Sequence, residues 1–163
     1  MNGANEWSHR YMGQLRQLSC RDHCAITILE DCYCAELSSV AAYTYRSLVT
    51  EGISGELSTL LDRIAVDECE HFRLVGSIIV SMGGNPVIRS HVRTEPYDFG
   101  GLTPQKTEIT ICRMLREALQ EEREEIDRYQ SVMGRTDDRV LRSFLAQIIA
   151  DEERHVIGIK SIM

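Results

Sequence analysis

Proline is scarce in this chain: three serve all 163 residues, and Pro86, Pro96 and Pro104 fall in one stretch near the middle. The flanking sequence is therefore free of the residue that most strongly breaks helices. No segment alternates polar and apolar residues long enough to mark a half-buried strand, so a sheet is not expected. There is no run of eighteen apolar residues, and the polar start Met1-Asn2-Gly3-Ala4-Asn5-Glu6 lacks a signal peptide's apolar stretch. A cytoplasmic chain with no membrane span is the expectation. Positive charge is also in deficit: 18 Lys+Arg against 25 Asp+Glu gives a net −7, which argues against nucleic-acid binding because that depends on neutralising phosphates. Finally, the six cysteines (Cys20, Cys24, Cys32, Cys34, Cys69 and Cys112) include no Cys-x-x-Cys pair. Most of them lie within helical patterns, so free thiols are expected rather than a disulfide framework.

What is present is helical periodicity in four segments. The first runs from about Asp22 to Thr50 and the second from about Ser54 to Met82, with Glu51-Gly52-Ile53-Ser54 supplying a tight reversal. Gly83-Gly84-Asn85-Pro86 stops the second and opens a connection of about twenty residues that ends near Gly100-Gly101. Thr103-Pro104 starts a third helix reaching Met133, Gly134 closes it, and Asp137 is the expected cap of a fourth that continues nearly to Met163. Short, long and short connections give an all-α bundle over residues 22–163, made of two antiparallel helical hairpins joined by one long crossover. Its length suits one domain with one central site. Residues 1–21 form an N-terminal extension in which Trp7, Tyr11, Leu15 and Leu18 recur at helical spacing. That extension lengthens the first helix, packs on the bundle's outside or contacts a second subunit.

The chain repeats itself. An offset of 84 residues lays Asp67-Glu68-x-x-His71 on Asp151-Glu152-x-x-His155, and an offset of 86 lays Leu29, Cys32, Glu36, Val40 and Tyr43 on Leu115, Ala118, Glu122, Ile126 and Tyr129. Each hairpin has the same design, which predicts a pseudo-twofold axis between them. Glu36, Glu68, Glu122 and Glu152 each sit mid-stripe, with apolar residues or Cys32 and the two tyrosines at −7, −4, +4 and +7. Such a stripe faces the core. Glu36 and Glu68 are equidistant from Gly52 in the first turn, and Glu122 and Glu152 from Asp137, so all four carboxylates are expected at one depth. Three residues along a helix bring His71 beside Glu68 and His155 beside Glu152. Four acids and two imidazoles converging in a core read as a site for two metal ions, since unpaired they are expensive to bury.

The acids of Gln120-Glu121-Glu122-Arg123-Glu124-Glu125 leave a choice. Glu122 keeps the apolar phase, whereas Glu121 would put Glu125 and Arg128 at its +4 and +7 positions; Glu121 with Glu124 is the alternative pair. Glu125 has Ser39 as its counterpart in the first half, and is either a seventh ligand that breaks the symmetry or a solvated charge. Tyr43 and Tyr129 lie two turns from the ligands, where their hydroxyls can bond a carboxylate or donate to bound peroxide, or simply pack. Cys32 and Cys69 adjoin ligand positions, with buried free thiols as the commoner fate. His9, His23 and His91 fall outside the constellation.

Ala35-Glu36-Leu37-Ser38-Ser39-Val40-Ala41-Ala42-Tyr43-Thr44-Tyr45, the two Glu-x-x-His motifs and Glu122-x-x-Glu125 together resemble the ferritin-like di-iron superfamily, and within it the erythrin-type domain of rubrerythrins. The resemblance implies metal ligands at Glu36, Glu68, His71, Glu122, Glu125, Glu152 and His155, with Glu68 and Glu152 bridging and the other glutamates terminal. It also implies two iron ions, with two manganese ions as the alternative, and hard carboxylates with one imidazole per metal suit either. The activity implied is reduction of hydrogen peroxide, with dioxygen as the other candidate oxidant. The rubredoxin-like domain typical of full-length rubrerythrins would need Cys-x-x-Cys pairs that this chain lacks, so electrons are expected from an external protein such as a rubredoxin. Assembly into a homo-oligomer, dimer or larger, is expected. Ferroxidase or iron storage, a dimanganese catalase, and a metal-free helical interaction module are the rival readings.

Overall fold

The computed structural model describes residues 11, 13–89, 97 and 99–163. Four long helices carry it: α1 (His23–Thr50), α2 (Gly55–Ser81), α3 (Pro104–Met133) and α4 (Arg139–Ile162). Among the described residues there is no strand. Each helix starts where a side chain takes up amides that the first turn leaves without partners. Asp22 accepts from the amides of Cys24 and Ala25, Ser54 from Leu57, and Thr103 from Lys106 ahead of Pro104.

The fourth start corrects the sequence reading by one residue, because Asp138 rather than Asp137 is the cap. Its Oδ1 accepts from the amides of Val140 and Leu141, while its Oδ2 accepts from the Ser19 amide, the Ser19 hydroxyl and the Cys20 amide. The helical phase of α4 cannot separate two adjacent aspartates. The segment before α1 decides between them, since its Ser19 and Cys20 bond to Asp138 and not to Asp137.

Gly83 ends α2 with φ +88, a left-handed conformation that glycine adopts without strain. Gly84 follows at a close approach, where a Cβ would lie 2.8 Å from methyl carbons of Ile26 and Ile79. The crossover is fastened at Tyr97, whose hydroxyl donates to Glu117, whose carbonyl accepts from the Tyr45 hydroxyl, and whose ring lies under the Arg113 guanidinium. Before α1, Tyr11, Leu15 and Leu18 are buried against the bundle. The Tyr11 ring meets Phe144 edge-on at 5.7 Å, and its hydroxyl accepts from Gln147 at 3.0 Å. These residues therefore pack on the outside of the bundle; Trp7 lies outside the described residues.

α1 packs along α2 and α3 along α4, with lighter α1–α3 and α2–α4 contacts, so two hairpins face each other. The core is divided in two. One apolar cluster contains Leu29, Cys32, Val75, Ile78, Tyr129, Leu145 and Ile148, and the other contains Tyr43, Leu61, Ile64, Leu115, Ala118 and Ile159. Between these halves lies a band of buried acids and imidazoles. Among the described residues no helix is long and apolar enough to cross a membrane.

Candidate metal centre

Every helix contributes to the band. Glu36 comes from α1, Glu68 and His71 from α2, Glu122 and Glu125 from α3, and Glu152 and His155 from α4, and all seven are at most 4 % exposed. Six of them form two overlapping groups: Glu36, Glu68, His71 and Glu152 in one, and Glu68, Glu122, Glu152 and His155 in the other. Within each group one potential ligand atom per residue lies within 4.8 Å of the rest. Glu68 and Glu152 are common to both, where carboxylates that bridge two cations must be.

Both imidazoles turn Nδ1 inward. His71 Nδ1 lies 3.0 Å from Glu152, 3.6 Å from Glu68 and 3.7 Å from Glu36. His155 Nδ1 lies 2.9 Å from Glu152 and 3.2 Å from both Glu68 and Glu122. Their Nε2 atoms point the other way and meet an aspartate of the opposite hairpin. His71 Nε2 is 3.2 Å from Asp151, and His155 Nε2 is 3.3 Å from Asp67. A carboxylate on Nε2–H fixes the tautomer that leaves the Nδ1 lone pair free for a metal.

The donor set fits two cations. Glu36 Oε2, both oxygens of Glu68, Glu152 Oε1 and His71 Nδ1 are buried and make no hydrogen bond within the protein. Unpaired buried charges cost on the order of several kcal/mol each, and cations offset that cost. In the ion-free protein, protons take part of the load. Burial, aided by neighbouring acids, holds the Glu36 and Glu125 carboxyls well above the usual range. Burial likewise raises Glu122 to about 8 against the opposing pull of His155. Burial also works to raise Glu152, but the hydrogen bond from His155 and the charge of the neighbouring His71 imidazole hold it down at about 2. The surrounding carboxylates keep both imidazoles charged despite their burial.

The tyrosines cross between hairpins. Tyr43 donates to Glu122 Oε1 and Tyr129 donates to Glu36 Oε1, each holding a terminal carboxylate by one oxygen and leaving the other to face the cluster. Glu121 lies outside the band, 23 % exposed, and pairs with Arg46 at 2.9 Å. Glu124 is exposed and accepts from Gln120. Glu125 is buried but belongs to neither four-residue group; its Oε1 accepts from Ser39 at 2.9 Å and its Oε2 has no partner.

Cys32 is buried, and burial pushes its thiol up to about 12, which keeps it protonated. Cys69 is exposed, and all six cysteines are free. His23 is an exposed residue opening α1, whereas His9 and His91 lie outside the described residues.

Residues 26–163 match the family model for ferritin-like domains. The chain belongs to the ferritin-like domain family. In solved structures the same fold occurs in Desulfovibrio desulfuricans bacterioferritin, whose diiron site is known in different catalytic states. That likeness has TM-score 0.67 at 20 % identity and covers 91 % of this chain and 80 % of that one. Rhodobacter capsulatus bacterioferritin, with a metal-free dinuclear site and a heme iron, matches with TM-score 0.56 at 20 % identity, covering 86 % and 83 %. At such identities the likeness concerns the fold. No curated protein matches the sequence.

Reading the sequence of this ferritin-like chain missed two sets of residues. Asp67 and Asp151 were visible as part of the repeated Asp-Glu-x-x-His, but the phase of one helix says nothing about a partner on another. Arg46 is fully buried, stacks 5.3 Å over the Tyr43 ring and holds Glu121. It lies ten residues beyond Glu36, about 80° from the centre of the core stripe, so the phase of α1 alone did not mark it as buried.

Proposed function

We propose that this ferritin-like protein is a di-iron oxidoreductase that reduces hydrogen peroxide to water with electrons from an external donor protein. The observation that carries the reading is the paired, overlapping carboxylate and imidazole groups, which suit two hard cations held side by side. Two ferrous ions held there would supply, one from each, the two electrons that break the O–O bond of hydrogen peroxide, with two protons completing two waters. The residues provide the rest. Glu68 and Glu152 hold both positions together, Glu36 with His71 and Glu122 with His155 close opposite ends, and Asp151 and Asp67 fix the rings. Tyr43 and Tyr129 hold hydroxyl protons against the terminal carboxylates, one step from where a reduced oxygen needs them. Glu125, expected from the sequence as a seventh ligand, belongs to neither four-residue group, and we place its buried carboxylate beside the centre, at the approach to it.

A second reading, ferroxidase activity with iron as substrate, is favoured by the fold shared with bacterioferritins. One experiment separates them. Protein loaded with iron and reduced without air is mixed with peroxide and, separately, with dioxygen in a stopped-flow instrument, then supplied with a reduced rubredoxin-type donor. Faster oxidation by peroxide, converted to steady turnover by the donor, is expected. Rapid oxidation by air with growth of a ferric core establishes the ferroxidase instead, and oxygen release from peroxide without a donor establishes a catalase.

A further inference from the structure

A cleft of about 230 Å³ opens between α1 and α3, lined on one side by Ala35, Ser38, Ser39 and Ala42 and on the other by Glu121, Glu124, Glu125 and Arg128. The offset of 86 residues that relates the hairpins carries the first four onto the second four, one for one. A cleft walled by equivalent residues lies on the pseudo-twofold axis. It therefore faces both metal positions equally, since that axis exchanges the group containing His71 with the group containing His155. On the far side, the contacts of His71 with Asp151 and of His155 with Asp67 tie α2 to α4.

The two walls differ where symmetry would make them alike. α1 offers only short side chains and α3 only long ones, so the gap remains open although its backbone frame is symmetric. At its floor Glu125 is 4 % exposed, with Oε1 bonded to Ser39 and Oε2 buried without a partner, and Arg128 Nε is also buried without one.

We propose that this cleft is the port through which hydrogen peroxide reaches both metal positions, with Ser39, Glu125 and Arg128 as its recognising floor. The inference deepens the peroxide-reducing reading above and rests on it. Peroxide is small and neutral and carries two O–H donors and two acceptor oxygens. Glu125 Oε2 accepts, Arg128 Nε donates, and the Ser39 hydroxyl lies beside them, whereas the Ser38 hydroxyl donates to the Cys34 carbonyl and serves only as wall. A dication is less well served. Each acid of the cleft already has a partner, Glu121 with Arg46, Glu124 with Gln120, and Glu125 with Ser39 and with Arg128 Nη2 at 3.7 Å, and that guanidinium repels a cation at the floor. Because the approach lies on the axis, the two oxygens of one molecule arrive equally placed for the two positions.

The test narrows the port at two places. S38F fills it from α1, and E124W covers its mouth from an exposed position on α3 that no packing depends on; S38A is the control. Each protein is loaded with iron, reduced and mixed with peroxide, and the metal-free forms are titrated with Co²⁺ to follow uptake by absorbance. Both blocking variants are expected to slow oxidation about tenfold or more, as an access barrier lowers an association rate. S38A should stay near the parental rate, and Co²⁺ uptake should be unchanged in all three. Parental rates in both blocking variants overturn the port, and a parallel fall in Co²⁺ uptake shows a cation route instead. The parental preference for peroxide over dioxygen tests the function, whereas the ratio of variant to parent, with either oxidant, tests the port.

Discussion

Replacing Asp151 by Asn keeps the shape beside His71 Nε2 and the capacity to accept its proton, but removes the charge. In the parent, Asp151 Oδ2 lies 3.2 Å from that nitrogen, and the aspartate side chain is 16 % exposed. Its counterpart Asp67 lies 3.3 Å from His155 Nε2 but is 48 % exposed. Loss of such a carboxylate behind a metal-bound histidine costs roughly 10- to 100-fold in metal affinity, about 1.4 to 2.8 kcal/mol. Solvent screens the more exposed partner, so D151N should fall near the upper end of that range and D67N near the lower. The loss should also be local. D151N weakens the group of Glu36, Glu68, His71 and Glu152, while D67N weakens the group of Glu68, Glu122, Glu152 and His155. The Arg154–Asp151 pair disturbed by D151N is a minor contribution, because Arg154 is 65 % exposed.

Anaerobic competition of the metal-free proteins against a chelator, with Co²⁺ as probe, resolves the two affinities. The expected result is one weakened step in each variant and a larger loss in D151N. Parental affinity at both steps in D151N, or a greater loss in D67N, refutes the view that these aspartates set ring basicity.

Replacing Glu68 and Glu152 together by Ala should abolish metal binding, and elemental analysis that finds two ions per chain after that change removes the bridging assignment. E122A should lose an ion while E121Q keeps both, since Glu121 pairs with Arg46 outside the band; the reverse result puts the ligand phase one residue off. The metal-free protein should lose stability as pH rises from about 5 to 8 in denaturant titrations. Glu122 titrates near 8 when folded and in the ordinary carboxylate range when unfolded, so the unfolded chain releases its proton first. That release favours unfolding by up to about 1.4 kcal/mol per pH unit across the window, and Glu36 and Glu125 shift the same way. Metal affinity should rise over the same window because protons compete for the ligands, and a flat profile in both assays contradicts the protonation scheme. D138A should cost about 2 kcal/mol, the upper range for a helix cap, or about 4–8 °C in melting temperature. A D137A variant that loses as much while D138A is neutral restores the earlier cap assignment.

The helices and the direction of each acid were legible because both follow from the period of a single helix. Capping pairs, one reversal, the clustered prolines and apolar neighbours at ±4 and ±7 fix where Glu36, Glu68, Glu122 and Glu152 point before any tertiary contact exists. Equal distances from the turns then fix their depth. What escaped that reading depends on how one helix meets another. The exchange of aspartates between His71 and His155, the hydroxyl bonds from Tyr43 to Glu122 and Tyr129 to Glu36, and the Arg46–Glu121 pair all join different hairpins.

The repeat narrows that gap further than periodicity does. Where it is obeyed, as at Glu36 and Glu122 or Asp67 and Asp151, equivalent residues perform equivalent tasks on opposite ends of the centre. Where it is broken, the break has a location. Ala35 has Glu121 as its equivalent, Ser39 has Glu125 and Ala42 has Arg128, all on the α1–α3 side, while Arg46 has Val132 as its equivalent and reaches across to Glu121. A symmetric site with no preferred approach needs none of these differences. Small residues confined to one helix open a way in, long polar ones confined to the other give it donors and acceptors, and Arg46 neutralises the acid at its edge. The departures from symmetry thus fall together on the one side of the bundle where a substrate can meet both halves at once.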